Sequence, residues 1–382
     1  MILSLRVLKN GIPLRRSKGL DESLLFQIGI FFKMNILIIS KSVDKDRIAG
    51  ENYNLSVSSY VEAKDTRERF KEGEFMDYIL ESLKQQNISS GLLDAVADFR
   101  RKYPVEEKLK NRVNVPMLPY FGRETFEMAA AALLQGENIL LTGSKATGKN
   151  ILAETLAYVF GRPSWNISFH VNMDSSALIG TDTFRNNEVQ LRTGPVYDCA
   201  IGGGFGIFDE VNMAKNDAVS VLHATLDYRR ILDVPGYDKI DLHEATRFIG
   251  TMNYGYAGTR ELNEALVSRF LVIEMPAPTE ETLTYILTKT FPDFQVEGLK
   301  QICGLFLDLK TKADNNEIST KPLDLRGLIG ALKTVRSGLA PRLAIRMGIV
   351  NKSFDLFERE LVDDIVMTRI PQSWTPAEIF RS

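Results

Sequence analysis

Cysteine and histidine are scarce in this chain of 382 residues, with two cysteines, Cys199 and Cys303, and three histidines, His170, His223 and His243. Two distant cysteines give neither a disulfide framework nor metal-ligand spacing, which suits a reducing cytosol and makes a cytoplasmic location the expectation. The histidines fall on different predicted elements, so triad and metal-cluster chemistry have no support and structural roles are expected for them. Long apolar runs are also missing. The longest near the N-terminus, Leu24-Leu25-Phe26-Gln27-Ile28-Gly29-Ile30-Phe31-Phe32, is far short of the ~20 residues that span a bilayer. Basic residues precede it, but Asp21 and Glu22 interrupt the approach and no small-residue cleavage site follows, so no signal peptide is expected. Charge of one sign is lacking too. Lys and Arg total 47 against 49 Asp and Glu, a net charge of −2. That balance gives no bulk bias toward nucleic acid or a membrane surface.

What the chain does have is the stretch Gly143-Ser144-Lys145-Ala146-Thr147-Gly148-Lys149-Asn150. It fits the phosphate-cradling loop G-x-x-x-x-G-K-[ST] at every position but the last, where Asn150 replaces Ser or Thr. The apolar run Asn138–Thr142 reads as a strand feeding the loop, and a helical pattern from Ile151 to Ala157 follows it. Backbone N–H groups of such a loop and the helix start at Ile151 form an anion site. Gly143 and Gly148 permit φ > 0, and Lys149 is placed to reach the β- and γ-phosphates. A nucleoside triphosphate is the expected ligand. The missing hydroxyl at 150 ordinarily ligates Mg²⁺. An Asn amide oxygen is a hard but longer and uncharged ligand, so both a serviceable and an impaired metal site stay open.

Residues 1–33 read unlike the rest, and Met34 opens a strand-like Asn35–Ser40 that marks a possible start of the folded part. Helical periodicity appears at Phe75–Leu83 and Leu92–Phe99. Pro104, Pro116 and Pro119 mark a boundary, giving an N-terminal region over 1–112, mixed or helical, with no assigned role. From about Tyr120 short apolar strands alternate with helices, which argues an α/β fold with a parallel sheet covered on both faces. The strands expected are Asn138–Thr142, Trp165–Val171, Phe205–Asp209, Arg247–Met252 and Phe270–Met275. Hairpins are expected at Asp182–Leu191 and at Ile231–Tyr237 returning through Ile240–Leu242. The nucleotide domain spans 113–276, and after Pro276 and Pro278 a helical domain runs over 277–382.

An NTPase needs a carboxylate for the Mg²⁺ shell and a group that orients water beside the γ-phosphate. Gly206-Ile207-Phe208-Asp209-Glu210 supplies both at a strand end, with Asp209 for the metal and Glu210 to polarise water. The fourth strand ends at Asn253, an uncharged donor and acceptor suited to touch the water or γ-phosphate. Arg269 lies between a short helix and the last strand, where a guanidinium can project into a neighbouring subunit's site. Arg326 opens a helix in the C-terminal region and is placed to contact phosphate from a lid.

Over about Pro116 to Ala340 these pieces resemble the AAA+ ATPases, and within them the MoxR branch of the dynein-related type, close to its CbbQ/NorQ-like members. The resemblance makes Gly143–Asn150 the Walker A loop, Gly206–Glu210 Walker B, Asn253 sensor 1, Arg269 the arginine finger and Arg326 the sensor 2 position. Leu178-Ile179-Gly180, Thr193-Gly194-Pro195-Val196 and Asp209-Glu210-Val211-Asn212-Met213-Ala214 also look matched. What the resemblance implies is a P-loop core with a five-stranded parallel sheet and a C-terminal helical lid. It further implies ATP and Mg²⁺ as cofactors, a hexameric homo-oligomeric ring, and remodelling of a protein partner, often one with a von Willebrand factor A-type domain. Residues 1–105 lie outside it. Two other readings stay open: a nucleotide-gated assembly module with negligible turnover, and a GTP-dependent DNA-processing subunit of the McrB type. For the latter, Asn351-Lys352-Ser353-Phe354 imitates the guanine motif Asn-Lys-x-Asp but fails at its last position.

Overall fold

The computed structural model describes residues 3–6, 26–29, 72–116, 118–185, 187–253 and 262–381. The strand expected at 35–40 lies outside them. The chain divides into Met1–Lys71 and Glu72–Ser382. In the first unit the described residues form one parallel pair, β1 (Leu3–Arg6) with β2 (Phe26–Gly29).

The second unit is built on a five-stranded parallel sheet of β3 (Ile139–Gly143), β4 (Ser164–Ser168), β7 (Phe205–Asp209), β10 (Arg247–Asn253) and β11 (Leu271–Glu274), in the order β11-β3-β10-β7-β4. All five expected strands are present, Phe205–Asp209 with the bounds expected and the others with an end moved by up to three residues. Alternation along the three central strands, β3, β10 and β7, feeds two cores. Ile139, Leu141, Phe205, Ile207 and Ile249 face one side with the helices Arg123–Leu134 and Lys149–Val159. Leu140, Phe208 and Phe248 face the other with the helix Pro195–Gly202. Asn138 opens the first strand as a buried polar side chain. Its amide donates to the Leu226 carbonyl at 3.0 Å and accepts from the Phe248 N–H at 2.9 Å, which fixes the start of β10 beside β3.

The N-terminal boundary expected near residue 112 falls inside this unit. The helices Glu72–Gln85 and Ser90–Lys102 bury Ile79, Leu83, Val96 and Phe99 in the same core as the loop helix. Proline spacing marked a bend at Pro104–Pro119, and the apolar faces of both helices close over the sheet's covering layer regardless of that bend.

Both expected hairpins are present. β5 (Gly180–Arg185) pairs with β6 (Glu188–Thr193), placing Phe184 opposite Val189, and β8 (Ile231–Leu232) pairs with β9 (Ile240–Asp241). After β11 the chain forms a helical domain with its own core, built on Glu280–Thr290, Val296–Asp314, Leu325–Arg336, Pro341–Gly348 and Leu356–Arg369. Ala146 of the glycine loop packs against that core, so the lid meets the loop.

If residues 72–112 are structural, a chain of residues 72–382 will unfold cooperatively in urea, and one of residues 113–382 will not. Leu83→Ala in the longer chain is expected to cost about 2–5 kcal/mol. Equal stability of the two chains would contradict this.

Candidate nucleotide site

The strand register sets the site. β10 pairs with β3 so that Asn253 lies opposite Gly143, and β7 lies beside β10 with Phe208 opposite Gly250. The C-terminal ends of three parallel strands therefore deliver Gly143, Asp209 and Asn253 to one edge. Gly143 adopts φ +148° and Gly148 φ +85°, both open to glycine at little cost. A Cβ on Gly148 would also come within 3.3 Å of the Tyr120 ring. Ala146 sits at φ 63°, a left-handed value that costs an alanine of order 1–3 kcal/mol.

Lys149 is buried at the start of its helix. Its Nζ donates to the carbonyls of Gly143 at 3.0 Å and Ser144 at 2.7 Å and to Thr147 Oγ1 at 3.2 Å. Burial lowers its pKa from 10.5 to about 8, against an upward pull from Asp209 and Glu210. Asn150 and Ile151 continue the helix, with Lys145 in the loop before it.

Asp209 is where the network converges. Its Oδ1 accepts from the Asn150 amide at 3.2 Å and from the Thr251 hydroxyl at 2.8 Å. Glu210 lies in the left-handed region at φ 54°, ψ 48°, and its N–H donates to Thr251 Oγ1 at 3.2 Å. The Asn253 amide donates to Glu210 Oε1 at 3.0 Å, and buried Asn212 donates to the Asn253 carbonyl at 3.1 Å. Thr147, expected in the phosphate loop, lies there beside Lys149, whereas sequence reasoning gave no role to Thr251, Tyr120 or Asn212. For Thr251 a signal existed: two residues before Asn253 on a strand, it shares that residue's side of the sheet.

The donor set fits Mg²⁺. Asp209 offers a carboxylate, and Asn150, adjacent to it, an amide oxygen once the amide turns over. Mg²⁺ commonly takes one or two protein oxygens and fills its shell with phosphate and water. Among the described residues there is no cluster of three or more His, Cys, Asp or Glu side chains arranged for a metal.

The two arginines are not drawn into this edge. Arg326 is exposed on the lid helix Leu325–Arg336. Burial raises the Glu154 carboxyl on the loop helix, and the Arg326 guanidinium pulls it back down, so the lid arginine faces that helix. Arg269 lies at the opposite end of the sheet. β11 begins level with Ile139, four residues before Gly143, which is roughly 13 Å of strand. There Arg269 Nε donates to the His223 carbonyl at 3.0 Å, another N–H donates to Ala265, and its guanidinium lies 3.5 Å from Asp227. Hydrogen bonding from Arg229 holds the Asp227 carboxyl down to about 2, so the pair stays ionic.

A family model described as AAA domain (dynein-related subfamily) matches residues 138–270. YojN of Bacillus subtilis (strain 168), itself uncharacterized, is 32% identical over 282 residues, covering 69% of this chain and 92% of the relative. SERP0979 of Staphylococcus epidermidis, also uncharacterized, is 31% identical over 244 residues, covering 62% and 92%. Among solved structures, a mutant RuvB from Thermotoga maritima aligns with a TM-score of 0.40 at 17% identity over 65% of this chain and 71% of that one, a likeness too loose to bear on the site.

Two measurements follow from the loop geometry. A bound polyphosphate favours protonated Lys149, so above pH 8 binding takes up a proton and affinity falls by up to about tenfold per pH unit. In the free fold the sign is opposite: burying the charge is a cost below pH 8 that is relieved as pH rises toward 10.5. Titrating ATP from pH 7 to 9.5 tests this, and a flat profile would contradict it. If the Asn150 amide ligates the metal, Asn150→Ala will weaken Mg²⁺-dependent ATP binding and Asn150→Thr will match or exceed the parent. An unchanged Mg²⁺ requirement in all three would place Asn150 outside the metal shell.

Proposed function

The chain belongs to the AAA+ ATPases of the dynein-related, MoxR-like type, and from that premise we propose that it hydrolyses ATP with Mg²⁺ in a hexameric homo-oligomeric ring and uses the cycle to remodel or activate a protein partner. The observation that carries this reading is the division of polar and charged side chains between the two ends of one sheet. Lys149, Asp209, Glu210 and Asn253 gather at the strand ends, and Arg269 is fixed at the strand starts. An arginine so placed serves nucleotide held by a neighbour.

In this account Lys149 and the loop amides hold the β- and γ-phosphates, with Asp209 and Asn150 toward Mg²⁺, which supplies charge neutralisation for phosphoryl transfer. Glu210 takes a proton from the attacking water. Asn253, bonded to the Glu210 carboxylate, holds it in line and offers an amide donor to the same region. Arg269 from the neighbour meets charge developing on the γ-phosphate, and Arg326 follows nucleotide state from the lid. Asn150 favours a second reading, a nucleotide-gated assembly module with negligible turnover.

A protein partner, expected to carry a von Willebrand factor A-like domain, fits the hairpins better than nucleic acid does. β5 and β6 project with Phe184 72% and Val189 63% exposed as a cross-strand pair, and Tyr237 OH donates to Asp182 at 2.7 Å, tying the second hairpin to the first. The near-neutral charge gives no electrostatic footprint for a nucleic acid.

The shared site predicts complementation. Arg269→Ala will bind ATP yet lose hydrolysis, and mixing it with Lys149→Ala subunits will restore part of the activity once subunit exchange is shown. Inactive exchanged mixtures at saturating ATP would remove the trans assignment. For the partner, Phe184→Ser with Val189→Ser is expected to leave basal hydrolysis within about threefold, under ~1 kcal/mol of barrier. The same pair will abolish ATP-dependent recovery of a von Willebrand factor A-domain protein, scored by mass spectrometry. Identical recovery by parent and variant, or recovery of nucleic acid alone, would overturn it.

A further inference from the structure

The hydroxyl missing from the phosphate loop has a counterpart on the neighbouring strand. Thr251 is 1% exposed, opposite Leu141 of β3 and one residue past the end of the paired stretch between β10 and β7. Its hydroxyl has one proton and two lone pairs, and the contacts account for the proton and one pair. The proton goes to Asp209 Oδ1 at 2.8 Å, and the lone pair receives the Glu210 N–H at 3.2 Å. The Asn150 amide reaches the same carboxylate oxygen at 3.2 Å. One buried side chain thus braces the carboxylate assigned to the metal and the backbone of the residue assigned to the water.

The brace acts on a joint under strain. Glu210 sits at φ 54°, a conformation glutamate rarely adopts, and needs partners to stay there. Its carbonyl receives the Met213 N–H at 2.9 Å, and its own N–H is fixed by Thr251. Asn150 puts a longer amide where a loop ending in Ser or Thr has a short hydroxyl, and that amide donates to Asp209 at 3.2 Å, so the other partner of the carboxylate shares in setting its orientation.

We propose that Thr251 is a positioning residue that sets Asp209 for the divalent cation and holds Glu210 in register with it, offsetting the absence of a hydroxyl at position 150. This rests on the roles given above to Asp209 and Glu210. Thr251 acts through those two residues, to which its hydroxyl is bonded.

The test compares Thr251→Val, which keeps shape and loses the hydroxyl, with Thr251→Ser, which keeps the hydroxyl. Thr251→Ala serves as the hydroxyl-free variant should the valine chain not fold. Mn²⁺ binding to the full chain with a nonhydrolysable ATP analogue is followed by electron paramagnetic resonance, and analogue affinity is measured separately in EDTA. Loss of an outer-shell partner of this kind typically weakens metal binding on the order of 10–100-fold. The expected result is such a loss in the valine chain, near-parent binding in the serine chain, and unchanged analogue affinity in EDTA for all. A valine chain that binds Mn²⁺ like the parent overturns the proposal alone. A parent that binds no metal-nucleotide overturns the functional reading beneath it, and the proposal with it.

Discussion

Parallel register between β3, β10 and β7 is the constraint on which the rest depends. Parallel strands run their C-terminal ends to one edge, and that edge is where backbone amides, a helix start and short polar side chains can face a ligand without breaking a ladder. Placing Asn253 opposite Gly143 puts the phosphate loop beside the residue that bonds Glu210. Shifting β10 by one residue would turn Thr251 away from Asp209 and Phe248 out of its core, so packing and chemistry specify the same register.

The site also shows where the fold accepts unfavourable terms. A lysine is buried with its pKa brought to about 8, and a glutamate and an alanine hold left-handed backbone. Surrounding structure fixes each: three oxygens receive Lys149, Thr251 receives the Glu210 amide, and the lid core packs on Ala146. Contact between lid and loop gives movement of the helical domain a direct route to the phosphate loop.

Much of the fold was legible because its signals are local. Apolar runs ended by Gly143, Asp209 and Asn253 gave the strands, and the glycine spacing gave the loop. Asp209 and Glu210 were readable because a strand end followed by two carboxylates is a short pattern. Around residue 112, prolines mark where a chain bends and carry nothing about whether Ile79 and Leu83 find a core on the far side. Thr251 and Asn212 were missed because a single Thr in a buried strand or an Asn after a carboxylate pair has many ordinary uses. Their roles come from contacts between elements, Thr251 to Asp209 and Asn212 to Asn253; alternation puts Thr251 on the side of the sheet that Asn253 takes but names no partner for it. The ring and its partner rest on the placement of Arg269 and on the exposed hairpin pair.

The most direct test of the account is Mg²⁺-dependent ATP turnover by Glu210→Gln measured beside its equilibrium binding of ATP. Replacing the carboxylate by an amide keeps the acceptor for Asn253 and removes the base, so binding should persist near the parent's affinity. Turnover should fall on the order of 10²–10⁴-fold, as expected for loss of a general base. Turnover equal to the parent's would contradict the assignment of Glu210, and a parent that binds Mg²⁺·ATP without hydrolysing it would contradict the ATPase reading in favour of the assembly module.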